Sequence, residues 1–371
     1  MGIDSVRRPL AALLALTLGL LVWRIWVVQH LGISLYVDEA QYWTWARHLD
    51  WGYFSKPPGV AALIALSTGL FGDGILGVKA LAMLCYPATA GIAYVLARRL
   101  YEPDTAFWSA VCILTLPMFS WLGLFVSTDA LLTLFWLLAL LLYVQALASQ
   151  RVIDWLLLGL VCGLGLMSKY TMIAWMLAAL LHLALFHRAV LARPGPWLGT
   201  AVALVILAPN LLWNVANDFP TLRHTADITV NKHAGGGVKA LGEFLAAQWL
   251  AFGPVFGSVF LILLAAPRRV WHDDRLRLLL WFALPLWAVV SFQALKSNAN
   301  ANWAAPAFAP AAIAVTAWLR QRARQKLLLL GIAFNLLLGG IVYHWPQVLA
   351  EAGGEQASRQ AGQSLAPCRD G

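Results

Sequence analysis

The sequence is short of charge. Only 12% of its 371 residues are Asp, Glu, Lys or Arg, whereas 61% are hydrophobic. That balance excludes a soluble globular domain, for which about a quarter of residues are charged. Cysteine is scarce as well. Cys85, Cys112 and Cys162 lie inside apolar runs and Cys368 stands alone in a polar tail, so neither a disulfide framework nor a metal-ligand spacing is present. A leader cleavage pattern is missing too. The first apolar run, residues 10–28, follows Arg7 and Arg8, is long, lacks a small-residue cleavage site and is read as a retained helix.

What the chain has instead is a series of apolar runs. Their recurrence marks an all-α polytopic membrane protein, because a bilayer makes each span satisfy its own backbone hydrogen bonds and runs of this length do so as helices. Run length places about 11 transmembrane helices, at 10–28, 77–97, 106–124, 130–148, 155–167, 171–186, 197–213, 244–265, 276–294, 303–319 and 327–343. A shorter stretch, 60–71, is expected to lie at the membrane interface or dip into it. Residues 1–346 then form one transmembrane domain with two long outer loops, 29–76 and 214–243, followed by a polar tail, 347–371, expected to be disordered.

The net charge of +9 raises the question of nucleic acid. With the amino terminus placed in the cytoplasm, about 15 of the 26 Lys and Arg fall on the inner side against about 6 acids, and the outer side carries about 11 of each. The basic excess therefore reports topology, and no nucleic-acid partner is needed to explain it. The unusual polar segments all fall on the outer face: "YVDEAQYWTWARHLDWGYFSKPPG" (36–59), "VSTDALL" around Asp129, "MSKYTM" around Lys169, and "ALKSNANANWAAP" around Lys296.

In the first segment, Tyr42, Trp45, Ala46 and Leu49 keep the spacing of one apolar helical face, which predicts a short helix lying on the outer surface. Asp38 and Glu39 open it, where acids suit the helix dipole. Adjacent helical residues point about 100° apart, so one acid can face a substrate while the other anchors the structure. Asp129 opens another helix, capped by Ser127 or Thr128, and reads either as a dipole partner or as a functional carboxylate at membrane depth. Lys169 and Lys296, at outer helix ends, read either as snorkelling cations or as phosphate ligands. "GDGILG" matches a dinucleotide fingerprint but has no βαβ unit around it. His224 and His233 share a loop with Asp227, a weak metal-binding pattern.

Together, the D-E pair after the first helix, "KPPG", "STDALL", "GLMSKYT", "APNLLWNVANDFPTLRH" and "KSNANANWAAPAF" resemble the C-type glycosyltransferases, most closely bacterial members of the protein O-mannosyltransferase family (family 39) and the aminoarabinose transferases. The resemblance runs from about Leu10 to Leu319. It implies a polyprenyl-phosphate sugar donor, transfer on the periplasmic side of a bacterial inner membrane, and outer juxtamembrane helices beside the spans. Asp38 matches the family's catalytic base and Glu39 its neighbour. Asp129 matches the acid of the second outer loop, which in some relatives helps hold a metal, so a divalent ion on Glu39 and Asp129 stays open. Lys169 and Lys296 match basic positions near the donor phosphate. Lys56 stands where many relatives have histidine. In the family the chain usually continues into a further periplasmic portion, whereas here a polar tail follows.

The residues argue the same way without the family. A lipid-tethered donor needs its phosphate charge neutralised, here by Lys56, Lys169 and Lys296, and an acceptor hydroxyl needs a carboxylate to take its proton. One base and one clamp suffice for a single displacement with inversion. Tyr42, Trp43 and His224 offer a platform for sugar rings. The acceptor is an envelope lipid such as lipid A, a glycan or a protein. Two other readings compete: a polyprenyl-phosphate transporter or flippase, disfavoured because the ionisable residues gather at one surface without a repeat, and a non-catalytic lipid-binding member of the same fold.

Overall fold

The computed structural model describes residues 3–31, 33–227 and 236–345, and every regular element among them is a helix. His233 and the 347–371 tail lie outside the described residues. The first membrane helix, α1 (Ile3–His30), is followed by α2 (Val37–Ala46) and α3 (Gly59–Phe71), then the long α4 (Ile75–Leu100). Next come α5 (Pro103–Thr115), α6 (Pro117–Leu122), α7 (Thr128–Ser149), α8 (Val152–Ser168) and α9 (Met172–Phe186). The second half holds α10 (Pro194–Ala216), α11 (Pro220–Ala226), α12 (Val238–Phe252), α13 (Pro254–Leu264) and α14 (Pro267–His272). It closes with α15 (Asp274–Trp281), α16 (Leu284–Lys296), α17 (Ala305–Gln321) and α18 (Gln325–Tyr343).

Helix occupies all eleven expected stretches. Among the described residues, six helices are by themselves long and apolar enough to cross a membrane, or seven if one bent pair counts as a span. Three expected spans are interrupted. The stretch 276–294 pauses at Phe282–Ala283 yet still counts as one membrane-crossing stretch, whereas 106–124 and 244–265 are broken, and proline explains both breaks. Leu116 precedes Pro117 and takes an extended ψ of 128°, which ends α5 and starts α6. Gly253, at φ +88°, and Pro254 turn the chain by 114° between α12 and α13. The apolar stretch 244–265 is therefore not one straight helix. The surface helix also ends sooner than its spacing suggested. It stops at Ala46, so Leu49 leaves the apolar face and is exposed.

α17 is the core of the bundle and is buried on nearly every side. Its run of alanines lets neighbouring helices approach closely, as small residues do between membrane helices. The short α8 is held in the same way. A Cβ on Gly159 would sit 2.0 Å from the Gly199 carbonyl oxygen of α10, so the two backbones touch. Basic helix ends gather at one end of the bundle: Arg193 donates to Gln150 at 3.2 Å, Arg320 meets Asp104, Arg99 meets Gln145, and Arg275 lies 5.5 Å over the Tyr101 ring. The polar segments of the candidate site lie at the opposite ends of α4, α7, α8 and α17.

Candidate active site

The site begins with the first turn of α2, where the two adjacent acids part company. Asp38 is exposed, and among the described residues it has no hydrogen bond or ion pair. Glu39 is 1% exposed and fully engaged. Its Oε2 accepts the Tyr36 backbone N–H at 2.8 Å, closing the first turn. Its Oε1 accepts the Val126 N–H at 2.6 Å, just before α7. Both oxygens receive Lys79 Nζ at 2.7 Å, and that ammonium also donates to the Leu124 carbonyl at 2.9 Å. Glu39 thus ties α2, α4 and the turn leading to Asp129 into one unit. Lys79 lies inside an apolar run, and a lone lysine there needs a buried partner.

Asp129, 1% exposed, opens α7 with both oxygens occupied. Oδ1 receives Lys169 Nζ at 2.7 Å and Oδ2 receives Asn302 Nδ2 at 2.7 Å. Lys169 caps the end of α8. The "KPPG" turn sits directly on that end: a Cβ on Gly59 would lie 2.7 Å from the Met167 carbonyl oxygen and 2.9 Å from Ser168 Cα. This close approach brings Lys56 beside Lys169. Burial lowers the Lys56 pKa, and the Lys169 ammonium lowers it further, while Asp129 and Asp38 pull it back up. Among the described residues Lys56 has no carboxylate at ion-pair distance. Tyr42, one turn beyond Asp38, is buried among the carboxylates; burial first, then Asp38, Asp129 and Glu39, hold its phenol well above the ordinary range.

A polar frame fixes the loop carrying Lys56. The Tyr53 N–H donates to the Lys56 carbonyl at 3.1 Å, and the Tyr53 ring stacks on Trp45 at 4.7 Å. Asn210, fully buried on α10, donates to the Trp51 carbonyl at 2.7 Å and accepts Tyr170 Oη–H at 2.6 Å. Trp213 Nε1 donates to Asp50 at 2.7 Å.

The structure therefore gathers Asp38, Glu39, Tyr42, Lys56, Asp129 and Lys169. It does not gather the rest. Lys296 is exposed, places its ammonium 5.6 Å from the Phe292 ring, and among the described residues shares no hydrogen bond or ion pair with that group. Its segment reaches the site through Asn302 instead. Trp43 donates to Asp73 at 2.6 Å under the Arg47 guanidinium, in a surface cluster. His224 packs on Phe54 at 4.9 Å. A divalent ion does not fit on Glu39 and Asp129. All four oxygens already accept protein N–H donors, two of them lysine ammoniums, and among the described residues no cluster of three or more His, Cys, Asp or Glu exists. Sequence reasoning missed Lys79, Asn302 and Asn210. Lys79 carried a signal, a charge within an apolar run; the asparagines carried none beyond their motifs.

A carboxylate unpaired among the described residues and a buried lysine within reach of its charge, at one end of a helical membrane bundle, fit the chemistry of a membrane glycosyltransferase. The comparisons agree. Residues 55–213 match the family described as dolichyl-phosphate-mannose-protein mannosyltransferase. The lipid A galacturonosyltransferase of Rhizobium johnstonii is 33% identical over 329 residues, covering 88% of this chain and 68% of that protein. The undecaprenyl phosphate-alpha-4-amino-4-deoxy-L-arabinose arabinosyl transferase of Pseudomonas paraeruginosa is 27% identical, covering 81% of this chain and 58% of that protein. The crystal structure of ArnT from Cupriavidus metallidurans bound to undecaprenyl phosphate superimposes with a TM-score of 0.72 at 18% identity, over 98% of this chain and 76% of that one, and so shares the fold. The chain belongs to this family of membrane glycosyltransferases. It spans just over two thirds of the galacturonosyltransferase and less of the arabinosyl transferase.

Proposed function

We propose that the protein moves a sugar from a polyprenyl-phosphate donor to lipid A on the periplasmic side of a bacterial inner membrane, with inversion. The observation that carries this reading is Asp38, exposed and unpaired among the described residues, close enough to Lys56 to act on its charge, with Lys169 acting on Lys56 as well. Asp38 takes the proton of an acceptor hydroxyl as its oxygen attacks the anomeric carbon. The bond from that carbon to the phosphate oxygen breaks, and the leaving polyprenyl phosphate carries its charge to the Lys56 and Lys169 ammoniums. No proton has to be given to the leaving group. Asp129 and Glu39 hold the frame, and Tyr42 lines the acid side of the site. The lipid A acceptor is supported by the name of the Rhizobium galacturonosyltransferase, and the periplasmic placement by the basic excess assigned to the opposite, inner side. Deleting the encoding gene and analysing envelope glycolipids by mass spectrometry tests the reading. One sugar residue should disappear from lipid A and return on complementation; unchanged lipid A in the deletion strain contradicts it.

A further inference from the structure

Asp129 is divided between two donors. Lys169 takes one oxygen and the Asn302 amide takes the other, each at 2.7 Å. Asn302 sits in a single turn of tight helix, Ala301–Ala304, between α16 and α17. That turn is fastened from the side by Gln248 of α12, 6% exposed, whose Nε2 donates to the Ala301 carbonyl at 2.8 Å. Gln248 Oε1 in turn accepts Trp287 Nε1 of α16 at 2.8 Å. α12 has no straight helical continuation to hold it, because the chain breaks at Gly253. Gln248 is the side chain that locks α12 to the turn bearing Asn302.

We propose that Asn302 and Gln248 are positioning residues that set the Asp129–Lys169 pair for the donor phosphate. A carboxylate free to rotate offers both oxygens to one ammonium and draws it inward. With Oδ2 committed to Asn302, Asp129 meets Lys169 through Oδ1 alone, and the remaining ammonium hydrogens stay available to an incoming phosphate beside Lys56. A lysine has a long flexible stem, so its place depends on such a fixed partner. Gln248 acts at one further remove, by holding the backbone of the Asn302 turn.

The inference rests on the proposed donor chemistry but is tested without turnover. Binding of undecaprenyl phosphate to the full-length protein in nanodiscs is measured for wild type, Asn302→Ala, Lys169→Ala, the double variant and Gln248→Glu. Asn302→Ala should weaken binding severalfold, and by no more than Lys169→Ala does, because it acts only through the placement of that ammonium. Added to Lys169→Ala it should cost almost nothing further, because it acts through that lysine. Gln248→Glu keeps the acceptor for Trp287, loses the donor to Ala301, and should weaken binding in the same direction by less. Additive losses in the double variant, or unchanged lipid binding in Asn302→Ala, overturn the proposal. Wild-type protein that binds the lipid phosphate yet transfers no sugar overturns the proposed function and leaves this test intact.

Discussion

Removing Glu39 should unfold the outer face before it touches the chemistry. In Glu39→Ala, Lys79, 0% exposed, keeps the Leu124 carbonyl and the face of the Phe125 ring 5.3 Å away but loses its carboxylate. Breaking one side of a buried ion pair costs ~3–5 kcal/mol. The Tyr36 and buried Val126 N–H groups also lose their acceptor, at roughly 1 kcal/mol or more each. Pairing the change with Lys79→Met removes the stranded charge, and an apolar replacement of both partners is often neutral. The double variant should then recover about 2 kcal/mol or more of the single variant's loss, retaining mainly the cost of the two N–H groups. Tryptophan fluorescence of the 19 Trp during thermal or denaturant unfolding in detergent reads this directly. A Glu39→Ala protein as stable as wild type refutes the reasoning. So does a double variant no more stable than the single one, since the pair would then not be what holds α2 to α4.

Lys56 should make donor binding fail early on the alkaline side. Burial and the Lys169 charge lower its pKa, so the ammonium is lost below the ordinary lysine range, and affinity falls as pH rises through that value. The stability effect has the opposite sign: the folded state gives up this proton before the unfolded chain does, so burying Lys56 costs less as pH rises. A pH titration of donor KM checks it, and Lys56→Arg should move the limb upward or abolish it. Gly59→Ala must push the turn off the end of α8, because both nearest atoms are backbone at under 3 Å. Transfer should fall at least tenfold while stability falls by about 1–3 kcal/mol; normal transfer would show that Lys56 need not sit where the turn places it.

Much of the architecture was legible because the bilayer writes itself into run length. The all-helical fold and a helix over each of the eleven expected stretches followed from it; the short α11 and α14 did not. The breaks did not, although Gly253-Pro254 and Pro117 stood in plain view, because averaging apolar character over a run hides a backbone that cannot continue. The outer polar segments were legible as a group. Which of two neighbouring acids faced inward was not, since it depends on Lys79, forty residues away on α4. The paired contacts of Asp129 were illegible for the same reason: Lys169 and Asn302 reach it from α8 and from beyond α16, and no local pattern encodes that meeting. Lys296 shows the converse. Its segment was expected to meet the other polar segments and does so, yet an amide six residues on, not the lysine, reaches the acid.

The most direct measurement is sugar transfer by purified protein with defined substrates. The protein is given a polyprenyl-phosphate sugar and lipid A, and mass spectrometry follows both free polyprenyl phosphate and glycosylated lipid A. The account predicts that wild type forms the two products in equal amounts, and that Asp38→Asn, folded to the same Tm, forms neither. Full transfer by Asp38→Asn, or a wild-type protein that leaves every such donor intact, would contradict it.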